Sequence, residues 1–325
     1  MDARHKAGHD GGKSCAKFAS QIEGCILLLT AFAILTDGLV YAAYLFIVAI
    51  GLTLIFGVMK ILNVTHGSFY AFGAYGAATA VGIYANGDWP AALGFLFMIL
   101  FGMIIGMIMG IILERGILRL VYGRDEVVVV LVTYAVFLIL EDVIVLIWGP
   151  QSYAAYQPMV AAGNTEIGDL VLANYDMILV AIAALLAAAA YWALKFTRYG
   201  RLLTTVIFDR ETAAAFGINV TLVYTATFIV GAMLGALGGA VMAPKIAVTL
   251  GIGVEVIVLA FAVVAIGGMG SIEGALIGAL IVGICRAAAV HLVPQIELFV
   301  IYGVMALVLV VRPYGLFVRA QPRKI

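Results

Sequence analysis

The chain is built from apolar runs of about twenty residues, one after another, separated by short polar joints. A helix that crosses the hydrocarbon core needs about 20 mostly apolar residues and must satisfy its backbone polar groups internally. The clearest runs are 39–59, 68–85, 91–113, 127–147, 177–194, 220–243, 246–266, 275–290 and 296–311. A shorter one, Gly24 to Thr36, precedes them and reads either as a further crossing or as a helix lying in the interface. Composition closes the alternative of a soluble protein with an oversized core. Only 11% of the residues are charged and the mean hydropathy is +1.17, whereas soluble domains carry roughly 25% charge. The expected fold is an all-α polytopic bundle of about 8–10 transmembrane helices. It divides into a tail (1–23), one transmembrane domain (24–311) and a second tail (312–325).

Lys and Arg accumulate on the cytoplasmic side of a membrane protein, so their placement orients the spans. With ten crossings both termini lie inside, and all of the 18 Lys and Arg residues except Lys245 and Arg286 then share that side. If Gly24–Thr36 does not cross, Arg4, Lys6, Lys13 and Lys17 move outside and the orientation of the rest is unchanged. A multi-pass membrane protein with a cytoplasmic C-terminus is the expectation. The basic start followed by an apolar run is similar to a signal peptide, but no small-residue cleavage site follows Leu35 closely.

Several chemistries are disfavoured. Cys15, Cys25 and Cys285 are scattered without metal-ligand spacing. "GHDGGKS" (Gly8 to Ser14) mimics a phosphate loop, yet the motif needs a glycine where Ala7 stands, and no strand precedes it. No nucleophile–base constellation marks an enzyme, no metal site is expected, and no basic domain would bind nucleic acid.

Glycines recur every fourth residue at Gly102, Gly106 and Gly110, and again at Gly231, Gly235 and Gly239. That spacing puts them on one helix face, where backbones can approach closely. Packing within one subunit is the leading reading, with a pathway lining or subunit interface as the alternative. Two joints are unusually polar: "KILNVTHGSFYAFGAYG" from Lys60, with Asn63, His66 and Gly67, and "AIGGMGSIEGALIGA" from Ala265, with Gly267, Gly268 and Ser271. Irregular backbone at membrane depth is tolerated when buried in protein or lining a wet cavity, and transporters use such breaks at substrate sites. These residues are candidates for the translocation pathway, against the plainer reading of capped turns. Glu255 reads as the deepest ionisable residue and joins the candidates. Glu141 and Asp142 read as facing outer water, and Arg286 and Glu297 as a structural pair.

Between 195 and 219 the chain reads "KFTRYGRLLTTVIFDRETAAAFGIN", which the charge count places in the cytoplasm. A short helix from about Asp209 to Phe216 is expected, with acidic residues in its first turn and Gly217 as its C-cap. Two turns of helix are marginal alone, so a partner must pack on it.

This stretch resembles the G-R-x-x-R-A-x-x-x-D-x-x-x-A-x-x-x-G-I-N segment of inner-membrane permeases of branched-chain amino acid ABC importers. "GLTLIFGVMKILNVTHGSFYAFGAY", "AIGGMGSIEGALIGALIVG" and "RPYGLF" are similar to three further segments of that family, in the same order. The closest likeness is to the first of the two permeases such systems encode. The resemblance implies a non-enzymatic importer subunit that binds no cofactor. Two cytoplasmic ATP-binding subunits would use ATP and Mg, a second homologous permease would complete the pathway, and a periplasmic binding protein would deliver substrate. Asp209, Arg210, Glu211, Ala214 and Gly217 fall in the family's coupling helix, which seats on the ATPase. The chain departs from the family in having Leu259 where many members carry Lys, with Glu255 one turn earlier, and in its long N-terminal extension. Related permeases serve neutral amino acids, urea and amides, or aromatic and dicarboxylic acids. An autonomous secondary transporter or channel is the reading from another class.

Overall fold

The computed structural model describes residues 4–85, 87, 91–167 and 170–317, with side chains from residue 27 onward except at 91, 92, 167, 170 and 298. The side chains of the expected tail 1–23, and residues 318–325 of the other tail, lie outside the described residues. In chain order the helices are α1 (Arg4–Met59), α2 (His66–Ala85), α3 (Ala91–Leu113), α4 (Arg119–Val121), α5 (Glu126–Trp148) and α6 (Gln157–Ala162). A hairpin of β1 (Asn164–Ile167) and β2 (Leu170–Ala173) follows. Then come α7 (Asn174–Phe196), α8 (Arg198–Phe208), α9 (Arg210–Ala215), α10 (Val220–Met242), α11 (Ile252–Gly267), α12 (Ile272–Leu292) and α13 (Glu297–Val311).

Among the described residues, six helices are long and apolar enough to cross a membrane. The three remaining apolar runs form α2, α11 and α13. At 1.5 Å per residue the 16 residues of α11 reach only about 24 Å. Its ends are tucked into the bundle by tight turns. The run Gly24–Thr36 does not turn back as a separate crossing, because it is continuous with the next span in α1. Asp37 and Gly38 pass without a break: Asp37 pairs with His291, and Gly38 lies against Ile284 of α12.

The centre of the bundle is α2 against α10, with α1 and α3 on either side. Tyr70, Phe69, Tyr75 and Phe228 are fully buried there. Helices apolar all round have no hydrophobic drive to associate in lipid, so close backbone contact must hold them. The two glycine series supply it within this chain. A Cβ on Gly106 would stand 2.6 Å from Ala236 Cβ, and one on Gly102 2.7 Å from Ala240 Cβ. One turn later α3 passes through a π-helical turn (Glu114–Leu118) into α4. Glu114 is fully buried at that turn. It accepts hydrogen bonds from the Thr225 hydroxyl at 2.8 Å and the Tyr122 hydroxyl at 3.3 Å. The base of α3 is thereby tied to the base of α10.

Candidate functional site

The end of the bundle that carries Lys60, Arg115, Arg119, Arg198 and Arg210 also carries the expected docking element. It consists of two helices rather than one. The amphipathic α8 precedes α9, and Asp209 between them caps the second helix. Its carboxylate accepts from the backbone N–H of Glu211 and of Thr212, both at 3.0 Å, and from the Thr212 hydroxyl. The Thr212 hydroxyl and N–H hold the Asp209 carboxyl below its usual range. Asp209 therefore shapes the element, while Arg210 and Glu211 stay exposed. At the other end Gly217 adopts φ +79°, and Ile218 N–H reaches Ala213 O at 3.1 Å, closing the helix as expected. Ala213 is the buried anchor, whereas Ala214 faces outward and Phe216 is 81% exposed. Tyr199, Phe208 and Leu222 are exposed with it, so an aromatic knob projects from this end. The apolar residues at helical spacing in "RYGRLLTTVIF", Leu202 and Leu203 then Val206 and Ile207, are the sequence signal for α8.

The two polar joints meet at this same end: Gly270 lies against Gly57, one turn before α1 terminates. Their residues are packed, however. Asn63 is fully buried and accepts from Thr65 N–H at 3.1 Å. His66 is fully buried, and its Nε2 meets Val48 O at 3.0 Å. The imidazole is wedged between Gly51 of α1 and Gly235 of α10, where a Cβ on either would come within 2.8 Å of it. Gly67 crosses α11 against Gly253, and Gly267 lies against Gly274. Ser271 caps α12 by accepting Gly274 N–H at 3.0 Å. Gly268, with φ +102°, packs on the Phe317 carbonyl. The closing segment forms a short backbone ladder there, with Leu316 N–H to Ile266 O and Phe317 N–H to Gly267 O, both at 2.9 Å. The plainer reading of both joints as capped, pinned turns fits these contacts. The joints position the helix ends, and the C-terminal "RPYGLF" segment is part of that device.

Glu255 is not the deepest charge. It is exposed in the first turn of α11, a position that suits the positive end of the helix dipole. Glu114 is the deeply buried carboxylate. It stands one residue beyond the run 91–113, and the π turn that carries the helix onward leaves no mark in the sequence. Glu141 also differs from expectation: it turns inward, and its Oε2 accepts Gly251 N–H at 3.2 Å at the start of α11.

At the end opposite the aromatic knob, a cavity of about 350 Å³ opens between α1, α7, the α10–α11 turn and α12. Asp37, Asp176, Lys245, Arg286 and His291 line it together with Tyr41, Tyr44 and aliphatic side chains. Lys245 pairs with Asp176, and His291 Nε2 meets Asp37 Oδ2 at 2.8 Å. Arg286 pairs with Glu297, as the sequence led us to expect, and lies over the Tyr41 ring at 3.9 Å. Nothing in the sequence joined Asp37 or Asp176 to this group.

The family described as "Branched-chain amino acid transport system / permease component" matches residues 34–309. The BraD permease protein of a high-affinity branched-chain amino acid transport system in Pseudomonas aeruginosa is 26% identical, over 90% of this chain and 97% of that one. The corresponding LivH protein of Escherichia coli K12 is also 26% identical, over 86% of this chain and 92% of that one. Among solved structures, a chain of "PsaBC from Streptococcus pneumoniae in complex with Fab" superposes with a TM-score of 0.46 at 14% identity, covering 90% of this chain and 95% of that one. With the match running through nearly every helix, the chain belongs to the family of permease components of branched-chain amino acid transport systems.

Proposed function

We propose that this chain is the membrane permease subunit of an ATP-driven importer, carrying branched-chain or related neutral amino acids inward. The single observation that carries the reading is the capped α9 with Phe216 exposed at its end, on the side of the bundle where Phe208 and Tyr199 are also exposed. An autonomous transporter has no use for a rigid aromatic knob on its basic end, whereas a subunit driven from outside needs one. Under this reading the knob end faces the cytoplasm of a bacterial cell, as does the C-terminus, and seats on ATP-binding subunits that hold ATP and Mg. This chain then carries no hydrolytic machinery and no cofactor. A second homologous permease stands beside it in the inner membrane, and a periplasmic binding protein delivers substrate to the opposite face.

The test is the double variant Arg210→Glu with Glu211→Lys, which leaves the Asp209 cap in place. It inserts normally, but the assembled complex loses transport, and its ATP hydrolysis no longer rises with loaded binding protein. Stimulated hydrolysis at the wild-type level would remove α9 from the coupling path.

A further inference from the structure

We propose that the cavity between α1, α7, the α10–α11 turn and α12 is a binding site for one zwitterionic amino acid with an aliphatic side chain. Arg286 and Lys245 receive its carboxylate, and Asp176 and Asp37 receive its ammonium. The proposal deepens the importer reading and rests on it for the direction of use.

Charge is the first argument. The lining holds two carboxylates and two permanent cations, and Glu297 of α13 pairs with one of them. A lining that offers both signs suits a molecule with both charges better than a bare anion or cation, which could engage only one of them. Spare bonding capacity is the second. Among the described residues, Arg286 uses Nη2 for Glu297 and one ring face for Tyr41, and its remaining guanidinium N–H groups carry no bond. Guanidinium donors in a fixed fork match a carboxylate. Lys245 spends one donor on Asp176 Oδ1, which leaves Asp176 Oδ2 open. Asp37 uses only Oδ2, for His291. The four side chains of the Lys245–Asp176 and Arg286–Glu297 pairs retain between 23% and 29% of their exposure, so they are reachable without unfolding anything.

Shape is the third argument. Val40, Leu179, Met242, Ile246, Ala287 and Val290 complete the lining, and they offer an apolar wall to a branched side chain. The resident ion pairs come from separate elements, α7 with the α10–α11 turn and α12 with α13. An incoming zwitterion can bridge the two pairs without breaking either, its carboxylate on the unused N–H groups of Arg286 and its ammonium on Asp176 Oδ2. Bridging of that kind confers selectivity for the doubly charged ligand more than raw affinity.

The experiment measures binding of radiolabelled L-leucine to the full chain, assembled with its partner subunits in nanodiscs, and leucine uptake by the same complex in proteoliposomes. 4-Methylpentanoate lacks the ammonium and 3-methylbutylamine lacks the carboxylate; each is expected to compete at least tenfold more weakly than leucine. Val290→Trp fills the cavity and keeps every ion pair, and it should weaken binding at least tenfold. Arg286→Gln should do the same, and Arg286→Lys should recover part of the loss. Equal competition by the two single-charge analogues, or unchanged leucine binding in Val290→Trp, would overturn the site whether or not Arg286→Gln folds. Wild-type uptake retained unchanged by Val290→Trp would also overturn the site while leaving the importer reading intact. Leucine binding that Val290→Trp abolishes, in a complex that imports no leucine, would uphold the site and refute the importer reading.

Discussion

Replacing Gly235 by Ala tests how the centre of the bundle is held. The added Cβ would stand 2.8 Å from His66 Cε1 and 3.1 Å from Nε2. The ring cannot swing aside, because Gly51 of α1 presses on it from another side and Nε2 is bonded to Val48 O. Overpacking of this kind costs about 1–3 kcal/mol. Weakening the imidazole–carbonyl bond adds about 0.5–1.5 kcal/mol. Against these stands the better helix propensity of alanine, about 1 kcal/mol in its favour. The net expectation is a loss of about 0.5–3.5 kcal/mol, since the two penalties exceed the gain. The assay is thermal denaturation of the purified chain in detergent, read by its monodisperse fraction, with Gly303→Ala as the control. A Cβ at Gly303 meets nothing within 4 Å, so that variant should hold or gain stability. The decisive arm places Gly235→Ala in a His66→Ala background. There the clash is gone, and the substitution should become neutral or stabilising. An equal penalty with and without the imidazole would refute the wedge.

Two further outcomes follow from the turns. Asp209→Ala removes the cap of α9, so amide hydrogen exchange at Glu211 and Thr212 should accelerate while the core amides of α10 stay protected. Because the Asp209 carboxyl is held below its usual range, its contribution is complete above the ordinary carboxylate pKa of about 4 and is lost as pH falls through the lower folded value, so the wild-type cap should persist at pH 5. Gly268→Ala places a side chain at φ +102° against the Phe317 carbonyl. Strain of about 1–3 kcal/mol is expected there, with faster exchange at the Leu316 and Phe317 amides; unchanged exchange at both would show that the C-terminal ladder does not depend on this turn.

Much of the architecture was legible in the sequence, because hydropathy and length are local properties. The run 91–113 became α3 (Ala91–Leu113), and 220–243 became α10 (Val220–Met242). The short helix after Asp209 and its Gly217 closure were legible for the same reason: a cap and a left-handed glycine act within a few residues. The glycine series at Gly106 and Gly235 announced close contact, but not with what. Helices apolar on every side leave no stripe to say which face turns inward, since lipid and protein interior are equally apolar. Only the tertiary structure could therefore decide that Gly106 meets Ala236 and that Gly235 receives His66. The same limit explains why Glu255 read as the deepest ionisable residue while Glu114, at the π turn, is the buried one. It also hid the ionic cavity, because Asp37 and His291 come from the two ends of the chain and Asp176 from its middle. Charge along a sequence records which side of the membrane a residue favours; which partner it meets there is fixed only when the helices are packed.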